Sequence, residues 1–352
     1  MKPPASRQLP SPTQNAVAAK AGVARSTVSR ALKNHPSIPE ATRLHILRVA
    51  EEMGYRENPY VTANMQRVRG AHGTRSQAII AFLTPYSLEH WYQKVLSYRK
   101  IYESARERAF HLGFELDPIS LIDQSLDSRR CNDILVARGV DGVLVAPFEN
   151  PFIRLRLDWT RFSIATLGFV HVRPRFSYAA ANHYYNVSLV LRKLHRLGYR
   201  RIGLALPERA NRYAQGTFEA AYRLYSGAQP ACDRLPHFAP EDLTDWNSVK
   251  FMKWFHKNKP EVVVCLTKDV RGWLVDAGLD IPGDVGLATL SRHGAESDWS
   301  GVDQHSELVG AAGVQIIAEQ LTLNQRGVPP YPRATFVEGE WAAGWTTRRL
   351  SR

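Results

Sequence analysis

Short apolar runs recur between residues 78 and 290, and they constrain the fold more than any other feature of the sequence. They are rich in Val, Ile, Leu and Ala, and stretches with helical periodicity separate them. Buried apolar runs that alternate with helices are typical of a parallel α/β sheet. The runs lie at residues 78–83, 114–119, 141–147, 162–168, 201–207, 261–267 and 284–290. Because this span is too long for one sheet of modest size, we expect two lobes.

Helical periodicity between the runs supports the same architecture. The helical stretches include residues 92–112, 126–139, 185–198, 214–226 and 247–258. Helices between parallel strands cover the two faces of a sheet, which is the Rossmann-like arrangement. The C-terminal three quarters of the chain are therefore predicted to be a two-lobed α/β domain.

The composition excludes several classes of protein. Apolar residues make up 44% of the 352 residues, and no apolar run approaches the roughly 20 residues that a membrane span needs. The N-terminus has no apolar segment typical of a secretory signal. Cys131, Cys232 and Cys265 lie far apart, which argues against a disulfide framework or a cysteine zinc site. We therefore expect a cytoplasmic protein with no membrane partner.

Positive charge is concentrated near the N-terminus. Residues 1–75 hold 12 of the 46 Lys and Arg residues but only 4 of the 33 Asp and Glu residues. This fifth of the chain therefore carries more than half of the net charge of +13. Such a basic segment is the electrostatic footprint of a protein that binds a polyanion. It also has helical periodicity, which a solvated basic tail lacks.

Three short helices are predicted within residues 1–57, after a disordered segment rich in Pro and Ser at residues 1–12. Thr13 caps the first helix, and Gly22 ends it because glycine tolerates positive φ. The second helix covers residues 25–33 and ends before His35 and Pro36. The third helix covers residues 40–53.

The apolar faces of these helices predict how they pack. Val28 and Leu32 are spaced i, i+4 on the second helix and are expected to point inward. The apolar residues of the third helix are Leu44, Leu47, Val49 and Ala50. Two short helices joined at a glycine, with a third behind them, form a helix-turn-helix pattern. In that motif the second helix fits the major groove of DNA.

The residues of this segment resemble a known family. VAAKAGVARSTVSRALKNHPSIPEATRLHILRVAEEMGY, at residues 17–55, resembles the DNA-binding headpiece of the LacI/GalR family of bacterial transcription regulators. The residues in register with the family pattern are Val17, Ala18, Ala21, Gly22, Val23, Thr27, Val28, Ser29, Arg30, Leu32, Thr42, Arg43, Gly54 and Tyr55. The resemblance implies a homodimer that binds a palindromic operator in double-stranded DNA.

The resemblance also assigns the DNA contacts residue by residue. Arg25, Ser26 and Arg30 occupy the positions that read bases, and Arg25 is the candidate for a bidentate contact to guanine. The positions that contact the DNA backbone are Thr13, Asn15, Thr27, Ser29 and Asn34. Two residues depart from the family pattern. Ala24 stands where the family has a serine that caps the recognition helix, and Pro39 precedes the third helix.

Residues 58–76 resemble the hinge helix and linker of the same family. The candidates for contact with the minor groove are Asn58, Tyr60, Asn64 and Met65. In the family an apolar wedge, usually leucine, enters a base step and kinks the duplex. Asn64 occupies the wedge position and is short and polar. Two alternatives stay open: Met65 takes the role in a shifted register, or the protein does not kink its operator.

Residues 77–352 resemble, more weakly, the periplasmic-binding-protein-like effector domain of the family. The motifs that carry this likeness are GVDGVLVAP, LHRLGYRRIGLAL and IPGDVGLATL. In the family, two Rossmann-like lobes close on a small molecule, and the chain crosses between them three times. Here the crossings are expected near Leu197, Gln304 and Asn324. The resemblance implies a repressor under the control of a small-molecule effector, with a sugar or sugar derivative as the expected class.

The pocket motifs of the family are only partly present. The family has an arginine three residues before a glycine, whereas Tyr213 precedes Gly216 at that distance and Arg212 lies one place off. Trp246 falls where a lac-repressor-like protein has an indole in its sugar pocket, and aromatic faces pack against sugar rings. The effector-binding candidates are Tyr86, Trp91, Asn182, Arg212, Trp246, Thr267, Asp269 and Ser291.

The sequence contains no catalytic signature. G-x-S-x-G, the P-loop, H-E-x-x-H and G-x-G-x-x-G are all missing, and the histidines lack metal-ligand spacing. We therefore expect no catalytic residues, no metal and no cofactor. The alternative to a sequence-specific regulator is a ligand sensor that binds DNA only non-specifically, which Asn64 and Ala24 favour. An enzyme built on a binding-protein scaffold is the third hypothesis.

Overall fold

The structure is a computed structural model that describes residues 14–32, 38–53, 78–94, 96–121, 128–148, 157–169, 173–293 and 298–351. The chain divides into two compact units, Met1–Arg75 and Ser76–Arg352. In the described part of the chain, no helix is both long and apolar enough to cross a membrane.

The described residues of the first unit form three short helices, as the periodicity predicts. They are α1 (Gln14–Ala21), α2 (Arg25–Leu32) and α3 (Glu40–Glu52). Gly22 has a φ of +68°, which lets the chain turn sharply from α1 into α2. Val17, Val28 and Ile46 are fully buried where the helices meet. One apolar side chain from each helix therefore forms the centre of this small core.

The apolar side of α3 differs from the prediction. Ile46 is fully buried, whereas Leu44 and Leu47 are 52% and 40% exposed. The buried stripe of α3 also contains Val49 and Ala50, three and four residues after Ile46. Such spacing puts side chains on one face of a helix, and positions 44 and 47 fall outside that face.

The starts of α2 and α3 lack side-chain caps, as the sequence predicts. The carbonyl of Ala24 accepts hydrogen bonds from the backbone N–H groups of Thr27 and Val28, at 2.9 and 3.2 Å. Ala24 is therefore the N-cap of α2, and its methyl group offers no acceptor. Pro39 holds the same place before α3 and makes no side-chain hydrogen bond.

The second unit contains the predicted α/β architecture. Its strands are β1 (Ala78–Thr84), β2 (Phe114–Ser120), β3 (Val140–Val145), β4 (Ser163–Leu167), β5 (Ser177–Ala181), β6 (Ile202–Ala205), β7 (Val262–Cys265), β8 (Gly286–Thr289), β9 (Gly301–Asp303), β10 (Ala334–Val337) and β11 (Glu340–Ala342). Its helices are α4 (Leu88–Lys94), α5 (Leu96–His111), α6 (Ser128–Ala137), α7 (His183–Arg196), α8 (Glu208–Tyr213), α9 (Thr217–Gly227), α10 (Ser248–Asn258), α11 (Asp269–Asp276) and α12 (Ser306–Thr322).

The strands form two sheets, one in each lobe. The sheet of lobe 1 is parallel, with the order β10-β5-β4-β3-β1-β2. The sheet of lobe 2 has the order β11-β9-β8-β7-β6, and β11 is antiparallel to β9. Both sheets carry apolar clusters on both faces. In lobe 1, α5 and α12 cover one face and α6 lies in the cluster on the other. In lobe 2, α7 and α9 cover one face, and α10 and α11 cover the other.

The chain crosses between the lobes at three places, and two of them differ from the prediction. The first crossing is at Asn182, between β5 of lobe 1 and α7 of lobe 2, rather than near Leu197. The second is at Gln304, as predicted, between β9 and α12. The third is at residues 338–339, between β10 and β11, rather than near Asn324. The weak resemblance of this part of the chain does not fix the residues at which the chain leaves each sheet, so the predicted positions of the first and third crossings are wrong.

Hydrogen bonds bring the crossings side by side. The backbone N–H of Asn182 donates to the carbonyl of Val337 at 2.8 Å. The backbone N–H of Gly339 donates to Oδ1 of Asn186, a fully buried side chain of α7, at 2.9 Å. The first and third crossings are therefore tied together at the base of the cleft.

Candidate nucleic-acid interface and interlobe cleft

The second helix of the first unit has one buried face and one free face. Val28 and Ala31 are buried against α1 and α3. Arg30, two positions after Val28, is exposed. No acidic residue lies in α2. The exposed part of α2 therefore offers a guanidinium group without a carboxylate that would repel phosphate.

Most of the residues predicted to contact DNA lie outside the described residues, or their side chains do. Thr13, Asn34 and the hinge candidates Asn58, Tyr60, Asn64 and Met65 lie outside the described residues. Asn15 lies in α1, and Arg25, Ser26 and Ser29 lie in α2, but their side chains are outside the described part. Thr27 is half-buried and Arg30 is exposed. The assignment of base and phosphate contacts therefore stays a prediction.

The carboxyl ends of the strands in both lobes border a common cleft. In lobe 1, Tyr86 follows β1, Gly168 follows β4 and Asn182 follows β5. In lobe 2, Thr267 follows β7 and Ser291 follows β8. The crossings at Asn182 and Gln304 leave from these same edges. In open α/β sheets, ligands bind in the crevice outside the carboxyl ends of the strands.

Trp246 and Asp269 lie together in lobe 2. The indole N–H of Trp246 donates to Oδ2 of Asp269 at 3.0 Å, and its ring stacks on Phe238 with centroids 5.5 Å apart. Trp273 also packs against the indole, with ring centroids 5.1 Å apart. Two of the predicted effector contacts are therefore neighbours. The hydrogen bond to Asp269 and the two ring contacts hold the indole in place.

Thr267 and Ser291 differ in how their hydroxyl groups are satisfied. The buried Oγ1 of Thr267 has no hydrogen-bond partner among the described residues. The Oγ of Ser291 is 3.0 Å from Nδ1 of His293. A buried hydroxyl without a partner is costly, and such groups in native structures mark sites that take a ligand or water.

Two predicted effector contacts are corrected by the structure. Trp91 is only 1% exposed, donates its indole N–H to the carbonyl of Pro147 at 3.0 Å, and belongs to the core of lobe 1. Arg212 is exposed and pairs with Glu208 one helical turn away, at 3.2 Å. Trp91 is thus a packing residue, and the Arg212 guanidinium is held by its own helix.

Asn182 and Tyr86 have structural partners of their own. Oδ1 of Asn182 accepts the backbone N–H of Tyr185 at 3.1 Å, which makes Asn182 the N-cap of α7. The Tyr86 ring packs edge-on against His90 with centroids 4.9 Å apart. Both lie at the cleft edge, where the sequence placed them.

Sequence reasoning missed the residue that joins the two lobes. Tyr213 ends α8 in lobe 2, and its hydroxyl lies against Gly168 of lobe 1. Burial raises the pKa of the Tyr213 phenol well above its usual value, and the backbone N–H of Phe169 opposes part of that rise. The available signal was the offset from Gly216, which puts Tyr213 where the family has arginine.

His183 is a second cleft residue that the sequence did not single out. Its ring stacks on Phe218 of lobe 2, with centroids 4.5 Å apart, and lies 5.4 Å from the ring of Phe169 in lobe 1. Burial lowers the pKa of His183 to about 4, because the charged imidazolium loses its hydration. The imidazole is therefore neutral at pH 7.

One group in the described residues has potential metal ligands close together. Single ligand atoms of Asp303, His305 and Glu307 lie within 4.8 Å of one another at the second crossing. Oδ1 of Asp303 accepts the backbone N–H of His305 at 3.0 Å, and Nδ1 of His305 is 3.2 Å from Oε1 of Glu307. These contacts at the start of α12 account for the arrangement without an ion.

A depression of about 540 Å³ lies beside the first turn of α11. Its lining residues are Lys268, Asp269, Arg271, Gly272, Asp298, Trp299 and Trp345. It shares only Asp269 with the predicted effector contacts.

Comparison with known proteins finds a family match within the first unit. Residues 15–58 match the family described as bacterial regulatory proteins, lacI family. The matched residues cover α2, α3 and all of α1 except Gln14, so the helical part of the first unit is similar to this family. No curated protein sequence matches the chain.

Solved structures share the architecture of nearly the whole chain. The transcriptional regulator CelR in complex with cellobiose is 19% identical, with a TM-score of 0.55 over 95% of this chain and 99% of that chain. The lac repressor dimer bound to operator and the anti-inducer ONPF is 17% identical, with a TM-score of 0.56 over 96% and 99%. A LacI family transcriptional regulator from Enterococcus faecium with bound ribose is 13% identical, with a TM-score of 0.51 over 78% and 100%. These similarities show that the chain has the fold of LacI-family regulators.

Proposed function

We propose that this protein is a sequence-specific transcription regulator that represses by binding an operator. The observation that carries the proposal is α2, a short helix with no acidic residue and an exposed Arg30, within a stretch that matches the lacI family. Such a helix fits the major groove, where its first residues reach base edges. The concentrated positive charge of residues 1–75 supports binding to the phosphate backbone.

In the proposed mechanism a homodimer places one α2 in each half of a palindromic operator. Arg25, Ser26 and Arg30 read bases, while Thr27 and Ser29 contact phosphates. A small molecule in the interlobe cleft couples to DNA affinity, because it binds one arrangement of the lobes better than the other. A sugar is the effector class that the resemblance implies, and two of the similar solved structures contain cellobiose and ribose.

The test is selection of DNA from a random pool by the full-length protein at near-physiological salt. The expected result is a palindrome with fixed half-site spacing. Arg25→Ala should relax the preference at one base position in each half-site, at a cost of about 1–3 kcal/mol in discrimination. Arg48→Ala changes an exposed arginine of α3 and is the matched control, because it should leave the selected sequence unchanged.

Two other outcomes would contradict the proposal in different ways. An unchanged site after Arg25→Ala would show that Arg25 does not read bases. Strong, salt-dependent binding without any enriched sequence would favour the alternative, a ligand sensor with non-specific DNA binding.

A further inference from the structure

The ring of Tyr213 reaches from lobe 2 into a notch in the backbone of lobe 1. Gly168 forms the notch with a φ of +68°. A Cβ on Gly168 would overlap the Tyr213 hydroxyl and lie 3.3 Å from Cζ of that ring. The same Cβ would lie 3.8 Å from Cβ of Pro147, so the notch is bounded on its other side by the chain that follows β3. Only a residue without a side chain leaves room for the phenol.

Aromatic rings from both lobes surround this contact. Phe169 and His183 lie next to the notch, and the His183 ring continues the stack to Phe218 of lobe 2. In lobe 1, Trp91 stacks on Tyr98 with centroids 4.5 Å apart, and its indole N–H is bonded to Pro147. Nδ1 of His183 is buried and has no hydrogen-bond partner among the described residues. Uncharged rings therefore surround the place where Tyr213 meets lobe 1.

The position of Tyr213 indicates what this contact does. This residue ends α8 of lobe 2, and its uncharged phenol contacts Gly168 and the backbone of Phe169 in lobe 1. We propose that Tyr213 acts as an internal ligand that closes the lobes on each other, so that a small molecule enters the cleft only by displacing the ring and opening the lobes. The use of the cleft by an effector rests on the proposed function, but the closure itself does not.

This arrangement fixes the sign of the coupling. A ligand shifts a conformational equilibrium only toward the state that binds it better. Because the closed state has its cleft filled by Tyr213, a molecule in that place binds the open state. Removal of the Tyr213 ring should therefore mimic the liganded protein.

The distance between the lobes can be measured in the full-length chain without DNA. Cys232 is exposed in lobe 2, whereas Cys131 and Cys265 are buried and react slowly. Glu107→Cys adds an exposed site on α5 of lobe 1, so that nitroxide labels on the two cysteines report the interlobe distance by pulsed electron resonance. We expect one short, narrow distance distribution in the otherwise unchanged chain. Tyr213→Ala should give a longer, broader distribution, and Tyr213→Phe should give a partial shift.

The control is a tyrosine that bonds within one lobe. The Tyr225 hydroxyl is 3.0 Å from Nδ1 of His195 inside lobe 2, so Tyr225→Phe should leave the distance unchanged. Gly168→Ala keeps Tyr213 but removes the notch, and it should open the lobes as well. If Tyr213→Ala does not fold, Tyr213→Phe and Gly168→Ala still decide the question.

Chemical complementation separates an internal ligand from a simple strut. The probe is p-cresol, which is the tyrosine side chain as a free molecule. Added to Tyr213→Ala, it should restore the short distance, and it should change nothing in the protein that keeps Tyr213. An unchanged distance in every variant, or opening that p-cresol does not reverse, would overturn the proposal. Loss of sequence-specific DNA binding with the expected distances would instead overturn only the proposed function.

Discussion

At the scale of single residues, two buried polar atoms at the cleft stand out. Nδ1 of His183 and Oγ1 of Thr267 have no hydrogen-bond partner in the described part of the chain. Leaving a buried polar group unpaired costs about 1–3 kcal/mol, so few such groups persist in a folded protein. Both lie where the carboxyl edges of the sheets face the cleft. These two atoms are therefore the first places to expect a hydrogen bond to a bound molecule.

The buried His183 predicts how stability depends on pH. Its pKa is lowered to about 4 in the folded chain, against 6.5 for an ordinary histidine. Between these values the unfolded chain binds the proton and the folded chain does not, so stability falls as the pH drops through this window. Urea unfolding at pH 7 and pH 5 should show an additional loss of about 1–2 kcal/mol that is due to His183, at 1.36 kcal/mol for each unit of pKa shift.

The control for this prediction is His183→Phe, which keeps a ring stacked on Phe218 but cannot titrate. That variant should lose correspondingly less stability between pH 7 and pH 5. Equal losses in both proteins would mean that His183 is not the group responsible.

At the scale of elements, the helices of the first unit depend on very few buried side chains. A unit of three short helices has a small core, so each buried side chain contributes a large share of its stability. Ile46 is fully buried on α3, while Leu44, two residues earlier on the same helix, is 52% exposed. These two aliphatic residues of similar size form a natural matched pair.

Ile46→Ala should unfold or loosen the headpiece, because truncation of a buried isoleucine costs about 2–5 kcal/mol. Leu44→Ala should change stability by about 0.5 kcal/mol or less, as exposed substitutions do. Hydrogen exchange of the α1–α3 amides in the full-length chain measures both effects. Similar exchange in the two variants would contradict the described packing of α3.

The strands show how much of the fold the sequence could predict. The apolar runs predict β1, β3, β4 and β7 nearly at their observed positions, because each of these strands is buried on both faces. The strands β5, β9, β10 and β11 escaped prediction. All four lie next to a crossing and contain three to five residues, some with small or polar side chains such as SYAAA and GVD. Their strand character comes from pairing with distant parts of the chain, which no local pattern records.

The residues of the cleft were also only partly predictable from the sequence. The resemblance singles out Trp246 and Asp269, and the structure shows that they are bonded to each other. Trp91 is also predicted as an effector contact but is buried, because its surroundings come from Phe82, Tyr98 and Pro147, which lie apart in the chain. Tyr213 and Gly168 meet across two lobes, and 45 residues of sequence separate them.

At the scale of the whole molecule, the three crossings determine how one lobe moves against the other. A Cβ on Gly339 would lie 2.5 Å from Cγ1 of Val302, 2.6 Å from the carbonyl oxygen of Asp303 and 2.8 Å from Oδ1 of Asn186. Gly339, in the third crossing, therefore lies in close contact with residues next to the first and second crossings. Bulk added there must separate the crossings or distort them.

Gly339→Ala should destabilise the full chain by about 1–3 kcal/mol, as overpacking does in closely packed sites. It should also lengthen the interlobe distance between labels on Cys232 and Glu107→Cys. Gly272→Ala is the matched control, because nothing lies within 4 Å of its added Cβ and alanine favours the helix. Comparable losses in both variants, measured by urea unfolding, would argue against a tight contact at the crossings.

Lobe 1 needs residues from far along the chain, so during synthesis it is completed long after the first unit. The core of lobe 1 includes Val309, Val314 and Ile317 of α12, and β10 completes its sheet. At about 5–20 residues per second, the ribosome needs roughly 15–60 seconds after the headpiece emerges to supply residue 337. Throughout that interval the helices of the first unit are attached to an unfinished lobe 1. If the proposed function holds, a nascent chain reaches DNA before it has a cleft in which to bind an effector.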